Sequence, residues 1–318
     1  MSGAARIPSL PTRVGSVVLR NPVMTASGTA GHGAELAGYV DLAGLGAVVT
    51  KSVSPDAWSG NPAPRVHQAA AGMLNAVGLQ GPGIATWLVE ELPPLLDLGA
   101  TVVASIWGRS VDDYRRAGDL LASAPAGVVA VEVNLSCPNV EDRSAMFAHS
   151  VEATEAALAA TAGCGRPRWA KLSPNAGDLV PIVDAAMAGG AEAVTLVNTV
   201  MGMAIDPASR RYRLGNGGGG LSGPAIHPVA VRAVHDVAAA RPDMPIVGVG
   251  GVTDGETAAE LLVAGACAVQ VGTAAFADPK APGQVAADLV DWCSRHGTGD
   301  VGELIGAIHG RHRDRHRR

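Results

Sequence analysis

Two lysines and one cysteine stand where this chain has chemistry for them to do. Only Lys51, Lys171 and Lys280 are lysine among 24 basic side chains, and the remainder are arginine. Lys51 closes the run AVVTKS and Lys171 sits in RWAKLS. Both runs are β-branched or apolar and lead into turn-rich sequence, the pattern of the carboxyl end of a buried strand. Burying an unpaired ammonium costs several kcal/mol, so each lysine is expected to face a bound anion or an electron-rich cofactor. Cys137 lies just past another such strand, in NLSCPN (134–139), with Asn134 and Asn139 flanking it. A thiol with a reference pKa of about 8.5 can serve as a general base once its site brings it towards neutrality. The competing reading of Cys137 is a small buried hydrophobe. Cys164, Cys267 and Cys293, in helical or strand-entry contexts, read as inert.

The remaining strand ends add Ser27, Ser105, Asn198, Thr199, Gly250, Gly251, Gly272 and Thr273. Amides, hydroxyls, two ammonium groups and a thiol on one face are the equipment for a planar polar heterocycle carrying a phosphate. VGVGGV (247–252) and VQVGTA (269–274) supply the phosphate end. Bare backbone N–H groups at glycine-rich strand ends can wrap an anion, and barrels place phosphate sites after their last two strands. The plainer alternative is that these glycines only close tight turns.

Positioning these groups takes eight strands, predicted at 23–27, 47–53, 101–107, 128–136, 168–173, 193–199, 245–250 and 268–273. Helical patterns lie near 33–45, 83–98, 111–123, 150–162, 177–189, 228–240, 254–265 and 281–296. Eight βα units with near-continuous apolar strands predict an α/β fold, a (β/α)8 TIM barrel, over an open doubly wound sheet. No early GxGxxG turn favours the open sheet. Residues 10–20 predict a small N-terminal β hairpin across the barrel's bottom. The barrel domain is drawn over 1–300, with 301–318 as a basic, disordered tail. Connections 54–82, 137–149 and 200–226 are too long for simple turns and belong over the active face. Within the last, GNGGGGLSG (215–223) is a flexible lid or a backbone surface pressed close to a ligand.

Composition bounds the function. The chain has 318 residues, 47% apolar and 17% charged, and a net charge of −5. Its last ten residues carry five Arg against one Asp, so the rest holds −9, which argues against nucleic acid as a partner. Four scattered cysteines form no CxxC cluster, so no iron–sulfur or structural zinc site is expected, and no bound metal. Free thiols suit a reducing cytoplasm. The N-terminus lacks a signal-like apolar core, and no run approaches the roughly 20 apolar residues of a membrane span. A cytoplasmic protein with no membrane partner is expected.

ASG (26–28), TKS (50–52), NAVGLQGPG (75–83), NLSCPN (134–139), AKLSPN (170–175), NTVMGMAID (198–206), GGLSGPAIHP (219–228), GVGG (248–251) and VGTA (271–274) occur in that order. In combination, over about residues 10–296, they resemble the class 1 dihydroorotate dehydrogenase catalytic subunits, which are FMN-containing (β/α)8 barrels. NTVMGMAID and SGPAIHP look more like the 1B branch, which passes electrons to NAD through a partner, than the fumarate-using branch. The membrane class carries an amphipathic N-terminal extension and a serine base, and this sequence shows neither.

The resemblance implies oxidation of dihydroorotate to orotate in de novo pyrimidine (UMP) biosynthesis. It places the substrate against Lys51, Asn75, Ala76, Val77, Gly78, Leu79, Asn134, Asn139, Asn198 and Thr199. Amide side chains suit a pyrimidine-dione because each offers donor and acceptor. Cys137 takes the catalytic-base role and Lys171 faces the charge developing on reduced flavin. FMN is assigned to Ser27, Lys51, Ser52, Ser105, Asn134, Lys171, Val197, Gly223, Gly250, Gly251, Gly272 and Thr273. Loop 137–149 closes over substrate. A homodimeric core and an electron-transfer subunit carrying FAD and an iron–sulfur cluster are further implied. The sequence departs from the family at Ser105 and Gly81, where many relatives have asparagine, and in VEDRSAMFAH after NLSCPN, which replaces a lysine-and-glycine segment. These departures leave room for a flavin enzyme acting on another dihydropyrimidine. A Schiff-base aldolase barrel using Lys51 or Lys171, and a barrel that only binds or scaffolds, are the more distant alternatives.

Overall fold

A computed structural model describes residues 8–136 and 146–310. The chain opens with an antiparallel pair, β1 (Thr12–Val14) and β2 (Val17–Leu19). β3 (Val23–Thr25) and β4 (Val48–Val49) start the barrel, and the hairpin β5 (Val66–Ala69) and β6 (Gly72–Asn75) follows. β7 (Val102–Ile106), β8 (Val128–Asn134), β9 (Arg168–Lys171) and β10 (Ala193–Leu196) continue the barrel. The next long connection holds β11 (Val200–Met203), the short pair β12 (Ile205–Asp206) and β13 (Arg211–Tyr212), and β14 (Gly218–Ser222). β15 (Ile246–Val249) and β16 (Ala268–Val271) complete it. The eight barrel strands run parallel in the order β3-β16-β15-β10-β9-β8-β7-β4, and a parallel bridge between Met24 and Ala47 joins the two ends. All eight expected strands are present, in a (β/α)8 barrel.

Strand alternation divides the core in two. One face of each strand, with Val102, Ala104, Val131, Val133, Ala170, Val194, Leu196, Val269 and Val271, packs outward against the helices. The other face, with Met24, Val49, Val103, Ala130, Trp169, Ala193, Val247 and Ala268, packs inward. That inner cluster also takes in Val14, Val17 and Leu19, so the N-terminal hairpin plugs the bottom of the barrel, as its position in the sequence predicts. Each such fully buried Val or Leu contributes about 1.5–3 kcal/mol. The same alternation carries the inward face upward from Ala130 to Glu132 and Asn134, and from Trp169 to Lys171.

The outer helices are α1 (Ile84–Thr86), joined through a π turn at Trp87–Glu91 to α2 (Leu92–Asp97), then α3 (Val111–Leu121), α4 (Val151–Ala160) and α5 (Leu179–Ala188). α6 (His227–Ala240), α7 (Gly255–Ala264), the short α8 (Ala274–Ala277) and α9 (Ala281–Arg295) complete the ring. Side-chain caps start several of them: Ser110 accepts from the Asp113 N–H, Ser150 from Ala153, Asp178 from Val180, and Asp254 from Thr257 in a capping box.

The structure differs from the sequence expectation in three places. No helix forms over 33–45, where only a 3₁₀ turn at Leu42–Gly44 appears. Gly33, Gly38 and Gly44 each cost about 1 kcal/mol relative to alanine in a helix, and no apolar stripe is strong enough to offset them. Of the two readings of the glycine-rich 215–223, the loose lid is not what forms: its centre is β14 in a four-stranded sheet of order β11-β14-β6-β5 that roofs the barrel's carboxyl end, with Gly218, Gly219 and Gly220 in the cavity lining. Glycine is required there by close approach, since a Cβ on Gly219 would lie 2.4 Å from the Asn75 carbonyl oxygen and one on Gly220 2.0 Å from Thr199 Oγ1. Finally, the tail drawn from 301 begins too early. Val301 and Leu304 are buried, the Val301 N–H donates to the Ser9 carbonyl at 2.9 Å, and His309 Nε2 bonds the Ala264 carbonyl at 3.0 Å. Val301, Leu304, Ile305, Ala307 and Ile308 make 301–310 largely apolar, and the basic run starts only at Arg311. The remaining positions, 311–318, lie outside the described residues.

Candidate active site

A cavity of about 380 Å³ opens between the strand ends and the roof sheet. Among the predicted residues, Ser27, Lys51, Ser52, Asn75, Ala76, Val77, Gly78, Leu79, Asn134, Lys171, Val197, Asn198, Thr199, Gly223, Gly250, Gly251, Gly272 and Thr273 all line it. Ser105 does not. It is fully buried one layer behind, with its Oγ 2.8 Å from Ser52 Oγ. Serine in this place is too short to reach the cavity and acts instead on the neighbour that does. Cys137 and Asn139 lie outside the described residues; Ser136 and Met146, on either side of that stretch, both line the cavity.

The floor is Lys171, whose side chain is 5% exposed. Its Nζ donates to Gln270 Oε1 at 3.3 Å and lies 3.6 Å from Glu132 Oε1. Glu132 Oε2 in turn accepts from Gln270 Nε2 at 2.6 Å and from Thr195 Oγ1 at 3.0 Å. A buried lysine needs a partner, and Lys171 has a protein carboxylate beside it in addition to any ligand the cavity takes. Glu132, on VEVN, and Gln270, on VQVG, are polar residues on apolar strands, so the signal that picked out the lysines would have found them too.

A chain of hydrogen bonds runs round the rim. Asn134 Nδ2 reaches Ser52 Oγ at 3.5 Å, and Asn134 Oδ1 accepts from Asn198 Nδ2 at 3.2 Å. Asn198 Oδ1 accepts the Thr199 N–H at 2.8 Å, and the Tyr114 hydroxyl fixes the Asn134 carbonyl at 2.7 Å. Asn175 joins the ring unforeseen, donating to the Thr199 carbonyl at 3.0 Å and accepting the Met201 N–H at 2.9 Å. It closes SPN, a turn tripeptide that sequence reasoning took only as part of a motif. Because these amides bond one another, their orientations are set before any ligand arrives.

Lys51 is different. Among the described residues no acceptor bonds its ammonium, and burial, reinforced by Arg65, holds its pKa below the ordinary lysine range. A half-buried, unpaired cation at a cavity wall calls for an anion. Beside it, the 75–79 segment is pinned from behind: Asn61 Nδ2 donates to the Ala76 carbonyl at 3.1 Å and Trp58 Nε1 to the Gly78 carbonyl at 2.8 Å. Leu79 is held at φ 60, a region a non-glycine residue seldom occupies. Gly81, one of the two positions where the sequence departs from the family's asparagine, is tied by paired backbone bonds with Trp58, each 2.9 Å.

At the opposite end, Gly223, Gly250 and Gly251 adopt φ of 98, 136 and 70, conformations that suit glycine. Among the described residues, the N–H groups of Gly250, Gly251, Gly272 and Thr273 donate to no protein acceptor. Unsatisfied donors gathered at a cavity are costly unless a ligand accepts from them. Four together make a cradle for a phosphate-sized anion. Cys164, Cys267 and Cys293 are buried free thiols, and burial pushes Cys267 up to about 11, so it stays protonated and unreactive.

Comparison with known proteins agrees with this arrangement. The family model described as dihydroorotate dehydrogenase matches residues 9–292. A protein of Geotalea daltonii named dihydroorotate dehydrogenase B (NAD(+)), catalytic subunit, is 44% identical over 302 residues, covering 95% of this chain and 98% of that one. Proteins of the same name from Desulforudis audaxviator and Alkaliphilus oremlandii are 46% and 42% identical, covering 93% and 94% of this chain and 96% and 99% of theirs. Barrel, cavity and family model converge: the chain belongs to the dihydroorotate dehydrogenase family, a family of oxidoreductases.

Proposed function

We propose that the protein oxidises dihydroorotate to orotate with bound FMN, the redox step of pyrimidine biosynthesis, as a catalytic subunit whose electrons go on to NAD. The observation that carries this reading is the three-part cavity: a buried ammonium at the floor, amide side chains round the rim, and four unpaired N–H groups at one end. The parts fit FMN. The N–H cradle suits its phosphate, and Lys171 suits the edge of a flavin that gains negative charge on reduction. When bound there, FMN supplies a hydride acceptor.

The chain's own residues do the rest. Lys51, the free cation, takes the substrate carboxylate, and Asn75, Asn134, Asn198 and Thr199 match the alternating donors and acceptors of the ring. Asn139 belongs with them in this reading. Cys137 removes the C5 proton as the C5–C6 double bond forms and the C6 hydride departs. The roof sheet and the 75–79 segment exclude water, which strengthens every charge interaction beneath them. Ser105 supports the cofactor through Ser52 rather than by touching it.

The relatives' shared name, a catalytic subunit using NAD(+), fits a partner that relays electrons. We assign FAD and an iron–sulfur cluster to that partner, since this chain's sequence has neither a dinucleotide fingerprint nor cluster ligands. A homodimeric catalytic core belongs to the same reading. Among the described residues no helix is long and apolar enough to cross a membrane. The buried free thiols fit a reducing cytoplasm.

The test is spectroscopic. Purified protein reconstituted with FMN should show a flavin visible spectrum, and anaerobic dihydroorotate should bleach it while dihydrouracil does not. Equal bleaching by both would make the substrate a different dihydropyrimidine. A preparation that stays colourless with FMN would end the reading.

A further inference from the structure

Behind the anion cradle stands a histidine that the proposed reaction does not use. His227, the first residue of α6, is 9% exposed. Its Nδ1 lies 2.8 Å from the Gly250 carbonyl oxygen and its Nε2 3.1 Å from Glu260 Oε2 on α7. The Gly250 carbonyl can only accept, so Nδ1 carries the proton of that bond. Nε2 then faces a carboxylate oxygen, so both ring nitrogens have a partner and the ring is held in one orientation. His227 also presses on the turn directly: a Cβ on Gly251 would lie 2.6 Å from His227 Cβ.

The geometry of one peptide group turns this contact into a function. The Gly250 carbonyl and the Gly251 N–H belong to the same planar unit, and that unit is trans. In a trans peptide the two groups point in opposite directions. A carbonyl drawn towards His227, outside the cavity, therefore sends the Gly251 N–H into it, where Gly251 is part of the lining. With φ of 136 and 70, the two glycines could swing this peptide with little steric penalty were it not held. We propose that His227, oriented by Glu260, is a positioning residue that fixes the Gly250–Gly251 peptide and thereby sets the affinity for the phosphate end of the cofactor. This inference rests on the FMN reading given above.

The experiment compares FMN with riboflavin, which lacks the phosphate, as ligands of the apoprotein, titrated by quenching of flavin fluorescence. Wild-type protein should bind FMN far more tightly than riboflavin. Without that preference there is no phosphate cradle, and both the reading and this inference fall. His227→Ala should weaken FMN about tenfold, the effect of one lost hydrogen-bonded brace on a charge-assisted contact, while riboflavin affinity is unchanged. His227→Asn, whose amide can still donate to the Gly250 carbonyl, should recover most of the loss. Glu260→Gln, at a side chain 55% exposed and so harmless to folding, should weaken FMN alone by a few-fold. If FMN binds these variants as tightly as wild type, or if FMN and riboflavin weaken in parallel, His227 has no positioning role even though the cradle stands.

Discussion

Lys171 Nζ and Glu132 Oε1 face each other at 3.6 Å inside the barrel, with side chains 5% and 0% exposed. Charges this deep are tolerated because each answers the other, with Gln270 and Thr195 completing the carboxylate's bonds. The ammonium also lines the cavity, so it serves two surroundings at once. Removing it by Lys171→Met leaves Glu132 unanswered and should cost about 3–5 kcal/mol in urea unfolding. The double change Lys171→Met with Glu132→Gln should return most of that stability but not flavin reduction by dihydroorotate. Full activity in either variant would count against Lys171 beneath the cofactor.

Cys137→Ala should retain FMN, since no part of the cradle is touched, and slow flavin reduction by dihydroorotate about 10²–10⁴-fold, the usual weight of a general base. Stopped-flow absorbance decides it. An unchanged reduction rate removes Cys137 from the reaction.

Lys51 carries an opposite pair of expectations. Its pKa is lowered chiefly by burial, then by Arg65, so the folded chain binds this proton less readily than the unfolded chain does. The unfolded state then holds more protons between the depressed folded pKa and the ordinary lysine value, and stability rises with pH across that window. Lys51→Met should remove this rise from the ligand-free protein and increase its melting temperature at neutral pH. The same change should weaken orotate binding by an order of magnitude or more. A variant that melts lower and binds orotate normally would contradict both halves.

Gly251→Ala tests the cradle's shape. Position 251 has φ 70, and the added methyl carbon would lie 2.6 Å from His227 Cβ and 3.0 Å from the Gly223 carbonyl oxygen. A loss of about 1–3 kcal/mol from backbone strain, with further loss from the contacts, is expected in thermal unfolding. FMN should wash out on gel filtration.

Ending the chain after Asp300 removes Val301 and Leu304, both buried. At about 1.5–3 kcal/mol for each such side chain, the truncated protein should unfold at a clearly lower temperature by calorimetry. An unshifted transition would restore the boundary at 300.

Much of the site could be found in the sequence because strand ends are marked by composition. An apolar run that closes on a lysine, an asparagine or a glycine pair declares both its element and its end, and Lys51, Lys171, Asn134 and Gly250 were legible in that way. Glu132 carries the same mark, an acid within the apolar run VVAVEVN, although acids are common in this chain and lysines are rare. Other features had no local signature. Segment 33–45 shows helical spacing, yet three glycines and too weak an apolar stripe leave it in turns. Ser105 reads as a rim residue by position, yet its reach depends on a side-chain length that only neighbouring Ser52 reveals. The roof sheet joins residues far apart in sequence, so β14 is recognisable as a strand only once β6 lies beside it.

That roof has a mechanical meaning. Its two inner strands come from connections after β4 and β10, which stand four places apart in an eight-membered ring and hence on opposite walls. Pairing β6 with β14 lays a beam across the mouth and ties the diameter of the opening to the cohesion of the whole cylinder. On the proposed FMN reading, small molecules would pass beside this beam more readily than a bulky tricyclic ring beneath it. Exchange of the cofactor should on that reading be slow, and a diluted holoprotein should lose its colour faster than wild type when Gly219 or Gly220 is replaced and the ladder weakened.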